Sequence, residues 1–308
     1  MRIRHVRPAL LPVSLLLVGL CLPCAGRQAK NRASAPSAAS ETVVFAVKKN
    51  VTDDAAAGDA TIDPVVIIRG GRFIAPPIET EVEGATASAA NNGKRFVANF
   101  YRPNRRYRLL FGGGEAGSVS VVKYEEPGCV GLTANARLQT TLKLGGEVDA
   151  LATNSEKLGG QNVRRAPDES ERAVASKLAQ SAFRQKNAKE STIAKMKTLN
   201  LTAVDLNKDG VSELVGAYLI EGQAGVEHAL LMIFERKGET YAPVMTWHHF
   251  GSEADAEYRR LVDVLDLDGD GVSELVVQGL YYESHDYMIY KRQAGQWRVA
   301  YKGGGGGC

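Results

Sequence analysis

Long apolar runs are nearly absent from this chain of 308 residues. The one that stands out, Ala9–Leu22, is broken by Pro12 and preceded by Arg2, Arg4 and Arg7. It is shorter than the roughly 20 residues a spanning helix needs, and the small residues Cys24, Ala25 and Gly26 follow it. That layout is expected of a secretory signal peptide, cleaved near Ala25 or Gly26, so residues 1–26 are set aside from the fold. A lipid anchor lacks its usual small residue, since Leu20 precedes Cys21 and Pro23 precedes Cys24. No transmembrane segment is expected in the mature chain.

Net charge is scarce as well. The formal value of +3 comes from three arginines of the leader, which carries no acid, so the mature chain is neutral. Nothing in that balance points to nucleic acid. Cysteine is sparse, with four in all. Two leave with the leader, and Cys129 and Cys308 remain as an even pair bound for an oxidising compartment. A Cys129–Cys308 disulfide is expected, anchoring a flexible Gly303–Gly307 tail, with two free thiols as the alternative.

Catalytic signatures are missing too. There is no Gly-x-Ser-x-Gly and no His-Glu-x-x-His. Gly112–Gly117 has the spacing of a dinucleotide-binding turn, but Ser118–Tyr124 after it alternates like a strand, so a hairpin loop is expected. Arg102, Arg105, Arg106 and Arg108 form a basic cluster read as a solvated face. His248, His249 and His285 have no third partner placed by spacing.

What the chain does contain is glycine, 32 residues of it, and apolar residues at 44% with aromatics at only 7%. That mixture suits short strands and turns over a sizeable core. Residues 27–40 are rich in Ala and Ser and read as a flexible linker. Residues 41–165 carry β-like runs at Thr42–Val47, Val65–Ile68, Arg95–Tyr101, Tyr107–Phe111 and Ser118–Tyr124. Turn residues separate them, Asn91-Asn92-Gly93 among these, and a small β domain is expected. Residues 166–198 hold one helix, from Asp168 to about Ala188. Asp168 is placed to cap it, Glu169 and Glu171 suit its positive end, and Val174, Leu178, Ala182 and Phe183 share a face.

The last part, residues 199–308, contains an internal repeat. Asp205-Leu-Asn-Lys-Asp-Gly-Val-Ser-Glu-Leu-Val215 recurs 61 residues later as Asp266-Leu-Asp-Gly-Asp-Gly-Val-Ser-Glu-Leu-Val276, with nine of eleven positions identical. Strands are expected before each copy, at Leu201–Leu206 and Leu261–Leu267, and after it, at Glu213–Ile220 and Glu274–Tyr282. Two more follow in each repeat, at Ala229–Glu235 and Tyr241–Trp247, then Tyr287–Lys291 and Gln296–Tyr301. Each repeat is therefore expected to be a four-stranded antiparallel unit with an acidic loop between its first two strands.

Within the loops, oxygen-bearing side chains stand at positions 1, 3 and 5: Asp205, Asn207 and Asp209, then Asp266, Asp268 and Asp270. Gly210 and Gly271 permit a sharp turn, Val211 and Val272 can offer backbone carbonyls, and Glu213 and Glu274 close the set. Calcium takes six to eight oxygens in flexible geometry, and this spacing supplies most of them. An EF-hand would need Glu at position 12, where Gly216 and Val277 stand. The second loop has four carboxylates and the first three plus an amide, which ranks the second as the tighter site.

This pattern resembles the loops of FG-GAP repeats, the calcium-binding units of integrin-α-type β-propellers, and the related VCBS-type repeats of secreted bacterial proteins. The resemblance covers Leu199–Tyr301. It implies blade-like repeats, two structural Ca2+ ions, export, and a binding, adhesion or scaffolding role toward a protein or glycan ligand at the cell envelope or beyond it. Propellers need several blades and two are found. Either degenerate blades lie in residues 41–165, or the two units pack on each other and on the helix. A secreted enzyme with its active site in residues 41–165 and the repeats as an accessory module is the alternative function.

Overall fold

A computed structural model describes residues 41–50, 58–78, 87–126, 131–142, 149–222, 225–252 and 255–307. The expected signal peptide, the linker and the Cys129–Cys308 bridge all fall outside these residues.

The described chain is mainly β, in antiparallel sheets. The first part contains β1 (Thr42–Lys49), β2 (Asp59–Arg69), β3 (Arg72–Ile74), helix α1 (Ala87–Phe100), β4 (Arg106–Phe111), β5 (Gly114–Tyr124), β6 (Ala134–Gln139) and β7 (Asp149–Thr153). Strands pair in the order β1-β7-β4-β5-β6-β2, and β1 also pairs with β2, so six strands close into a barrel with β3 appended. Strand alternation sends Val43, Phe45 and Val47 inward and Val44 and Ala46 outward. Gly112 and Gly113, at φ +60° and +78°, make the tight turn between β4 and β5, the expected hairpin.

One expectation here is corrected. Arg95–Tyr101 is no strand, and Asn91–Gly93 is no turn, because both lie in or at the end of α1. Phe96 and Phe100 are four residues apart, one helical turn, and both plug the barrel beside Phe45, Tyr101 and Tyr107. A short alternating window cannot separate that spacing from a strand.

The second part begins with β8 (Arg164–Arg165), α2 (Glu169–Gln185) and α3 (Glu190–Ile193). Helix α2 starts where expected. Asp168 Oδ1 accepts from Glu171 N at 2.8 Å, and Glu171 Oε2 accepts from Asp168 N at 2.8 Å, a reciprocal capping box. Its buried face is Ala175, Ala179, Ala182 and Phe183, with Val174 and Leu178 at the margin. Then follow β9 (Lys197–Val204), β10 (Glu213–Gly222), β11 (Gly225–Lys237) and β12 (Thr240–Phe250), and finally β13 (Tyr258–Leu265), β14 (Glu274–Leu280), β15 (Ser284–Gln293) and β16 (Gln296–Gly307). The repeats thus form successive meanders. The second has four strands, but the first has five, because Arg164 and Arg165 pair with Val204 and Ala203.

These layers stack. Helix α2 covers one face of β9–β12 through Leu214, Tyr218, Leu230 and Met232. The opposite face, with Val204, Val215, Ala217, Leu231 and Ile233, packs on Val264, Leu275, Val277 and Met288 of β13–β16. The far side of that sheet, including Val262, Val276, Tyr287 and Ile289, packs on the barrel exterior at Val44, Val65, Leu110 and Leu151. The central strands β10 and β14, and residues 228–234 of β11, are buried on both faces and read as near-continuous apolar runs rather than as alternations, while the edge strands β12 and β16 bury few residues.

The Gly303–Gly307 run is a second correction. It is the end of β16, paired with β15 as far as Ser284↔Gly307. A Cβ on Gly304 would lie 2.4 Å from Pro64 O, and one on Gly305 2.1 Å from His285 O. Close passage between β2 and β15 therefore demands glycine here, and tail flexibility is not its purpose.

Candidate cation-binding loops

The two acidic stretches connect β9 to β10 and β13 to β14. Register places Glu213 opposite Val204 and Glu274 opposite Leu265, so each loop is closed at its base by a strand pair. The loops share an internal scaffold. Glu213 Oε2 accepts from Leu206 N at 2.9 Å, and Glu274 Oε2 from Leu267 N at 2.7 Å. Asp205 accepts from Asp209 N at 3.0 Å and Gly210 N at 2.9 Å, while Asp266 accepts from Gly269 N at 2.7 Å and Gly271 N at 2.9 Å. Asp209 and Asp270 each accept from the amide two residues on, that of Val211 at 2.8 Å and of Val272 at 2.9 Å. Gly210 and Gly271 have φ of +84° and +90°, as the turn requires. Position 4 is also left-handed, which the sequence pattern did not signal: Gly269 at +81° in one loop, Lys208 at +60° in the other.

The Glu at the loop base sits where a negative charge is costly. Glu274 is 1% exposed, and burial, reinforced by Asp268, pushes its carboxyl up to about 7 despite the Leu267 N–H. Glu213 is 6% exposed and raised for the same reason, with Asp209 and Asp205 adding to the effect. A buried carboxylate among other carboxylates is stabilised by a cation. In the second loop, oxygens of Asp266, Asp268 and Glu274 lie within 4.8 Å of one another. The equivalent trio in the first is Asp205, Asn207 and Glu213, with an amide oxygen in the middle place. All the donors are hard oxygens, which fits calcium and disfavours metals that prefer nitrogen or sulfur.

The loops lie side by side. Ser273 N in the second donates to Leu206 O in the first at 2.9 Å, and Lys208 Nζ stands 3.8 Å from Asp266 Oδ2. A cleft of about 360 Å3 opens beside the second loop, bordered by Lys157, Gly159 and Lys208 as well as Leu265–Gly269. The first loop is tied to the helix layer, because Tyr241 Oη donates both to Glu171 Oε1 at 3.0 Å and to Ser212 O at 3.2 Å.

One residue from outside the motif enters the second loop. Lys291 of β15 places its Nζ against Asp268 Oδ2, at 2.9 Å from Asp270 Oδ2 and at 3.4 Å from Glu274 Oε1. No spacing rule marks it, since it reaches the loop across strand pairing rather than along the chain.

The remaining candidates do not converge. Arg102 caps Ala98 O, Arg106 meets Gln139, and Arg108 bonds Glu115, Ser155 O and Leu158 O. His248 Nε2 faces His228 Nδ1 at 3.1 Å, and burial together with His228 pushes its imidazole down to about 4. His285 Nε2 meets Asp63 Oδ2 at 2.5 Å, and Tyr287 Oη donates to that same oxygen at 2.8 Å, joining barrel to sheet. Among the described residues no helix is long and apolar enough to cross a membrane. No family model matches this chain, and neither any curated protein nor any solved structure does.

Proposed function

We propose that this protein is an exported, non-catalytic calcium-binding module that presents a binding or scaffolding surface to a protein or glycan at the cell envelope or outside the cell. In this reading the repeats are FG-GAP/VCBS-type, two blade-like sheets stacked in tandem with the helix and the barrel as end caps. Open-ended repeat stacks need such caps to cover their last apolar faces. The carrying observation is the shared loop scaffold around a buried glutamate, built twice from hard oxygen donors. Calcium would be held in the first loop by Asp205, Asn207, Asp209, Glu213 and the Val211 carbonyl. The matching set in the second is Asp266, Asp268, Asp270, Glu274 and the Val272 carbonyl.

The ion is structural in this account. It joins strands that pair directly at the loop base, and the loops touch each other. Support for a non-catalytic role comes from the barrel, whose interior is filled by Phe45, Phe96, Phe100, Tyr101 and Tyr107. The test is thermal unfolding of the chelator-stripped mature chain with calcium or magnesium restored. Calcium is expected to raise the melting temperature, and magnesium to raise it less, because its stricter octahedral demand suits this loop poorly. Melting curves that coincide with and without calcium would overturn the proposal.

A further inference from the structure

The same donor set is treated differently in the two loops, and the difference comes from one strand position. In the second loop the carboxylates at positions 3, 5 and 9, Asp268, Asp270 and Glu274, all meet Lys291 Nζ. The lysine side chain is 19% exposed and lies over a glutamate that is almost wholly buried. Strand register sets Tyr290 opposite Leu275, and Phe234 opposite the equivalent Leu214. The counterpart of Lys291 in the first repeat is therefore Glu235, which is paired with Arg292 at 2.8 Å. Among the described residues no Lys or Arg ion pair reaches Asp205, Asp209 or Glu213.

We infer that Lys291 is the resident cation of the second loop, so that this chain closes one acidic loop with calcium and the other with its own ammonium group. The inference rests on the calcium reading of the first loop. A calcium ion entering the second loop must displace Nζ from three carboxylates or sit beside it against like-charge repulsion. Either route reverses the ranking that a count of carboxylates supports. Breaking even one charge-assisted hydrogen bond of this kind weakens calcium at the second loop on the order of 100-fold relative to the first.

Equilibrium dialysis of the full mature chain against radioactive calcium tests this. The wild type is expected to bind one equivalent, Lys291→Met two, and Lys291→Arg, which keeps the charge, one. Asp209→Ala is expected to remove the wild type's single equivalent. Two equivalents of similar affinity in the wild type overturn the inference and leave the calcium reading standing. One equivalent in a folded Lys291→Met also overturns it. Calcium binding in no variant overturns both. Should Lys291→Met fail to fold, the wild type still decides the matter through acylation of its lysines, read by mass spectrometry. Lys291 labelling is expected to be the same with and without calcium, and a rise on adding calcium overturns the inference.

Discussion

Replacing Glu171 by Gln is expected to loosen the helix layer from the first loop-bearing sheet. Glu171 is 6% exposed and uses both carboxylate oxygens. Oε1 accepts from Arg165 Nη2 at 2.7 Å and from Tyr241 Oη at 3.0 Å, while Oε2 accepts from Arg165 Nη1 at 2.7 Å and Asp168 N at 2.8 Å. One carboxylate thus joins β8, the α2 cap and β12, and Tyr241 passes the tie on to Ser212 in the first loop. The Arg165 bonds, aided by the Asp168 N–H and Tyr241, hold its carboxyl down at about 2 against an ordinary 4.5. At about 1.4 kcal/mol per unit, that difference is worth roughly 3 kcal/mol at neutral pH. Because the folded value is the lower one, this stability is present above pH 4.5 and is lost as pH falls toward about 2. The assay is urea unfolding of wild type and Glu171→Gln at pH 7 and again near pH 2.5. The gap between them is expected to be about 2–3 kcal/mol at pH 7, since the half-exposed Arg165 regains water in the variant, and to shrink in acid. A gap below about 0.5 kcal/mol, the usual effect of a surface substitution, or one that does not change with pH, would refute the argument.

Other expectations concern the joints of the stack. Asp263, fully buried, accepts from Gly112 N with both oxygens and from Arg164 Nη1 at 3.1 Å, and burial pushes its carboxyl up to about 6 against the pull of Arg164. Its raised value favours folding below the ordinary 3.8, an advantage lost as pH rises through about 6. Arg164→Ala is therefore expected to lose about 3–5 kcal/mol at pH 8 and to recover part of that by pH 5, as measured by denaturant unfolding. Gly305→Ala, at φ +86° with no room for a Cβ, is expected to lose more than about 2 kcal/mol in the same assay, since β16 is a packed strand. Lys208→Gly should gain about 0.5–1 kcal/mol by relieving a left-handed lysine, a change visible as a higher melting temperature.

The repeats were legible because their information is local. Each acidic loop lies within eleven residues, and β9 to β12 and then β13 to β16 each run in chain order through their own sheet, so within each repeat neighbours along the chain are neighbours in the sheet. The cap of α2 was legible for the same reason, with Asp168 and Glu171 three residues apart. The barrel was not. Its closure depends on β1 meeting β7, which joins Val44 to Thr153, and on a helix whose two phenylalanines fall in a window that also alternates. The tail misled because five glycines look like a linker until the strands on both sides are in place. Lys291 stayed hidden because only the pairing of β14 with β15 brings it to a loop it follows by 17 residues or more. The Asp63–His285 joint spans 222 residues and leaves no pattern at all.

The proposed function requires a hard divalent ion to close the first loop. Anomalous diffraction from crystals of residues 27–308 grown with saturating calcium tests this. A peak is expected about 2.3–2.6 Å from oxygens of Asp205, Asn207, Asp209 and Glu213. A first loop with no peak at saturating calcium, its amides still satisfying the same carboxylates, would contradict it.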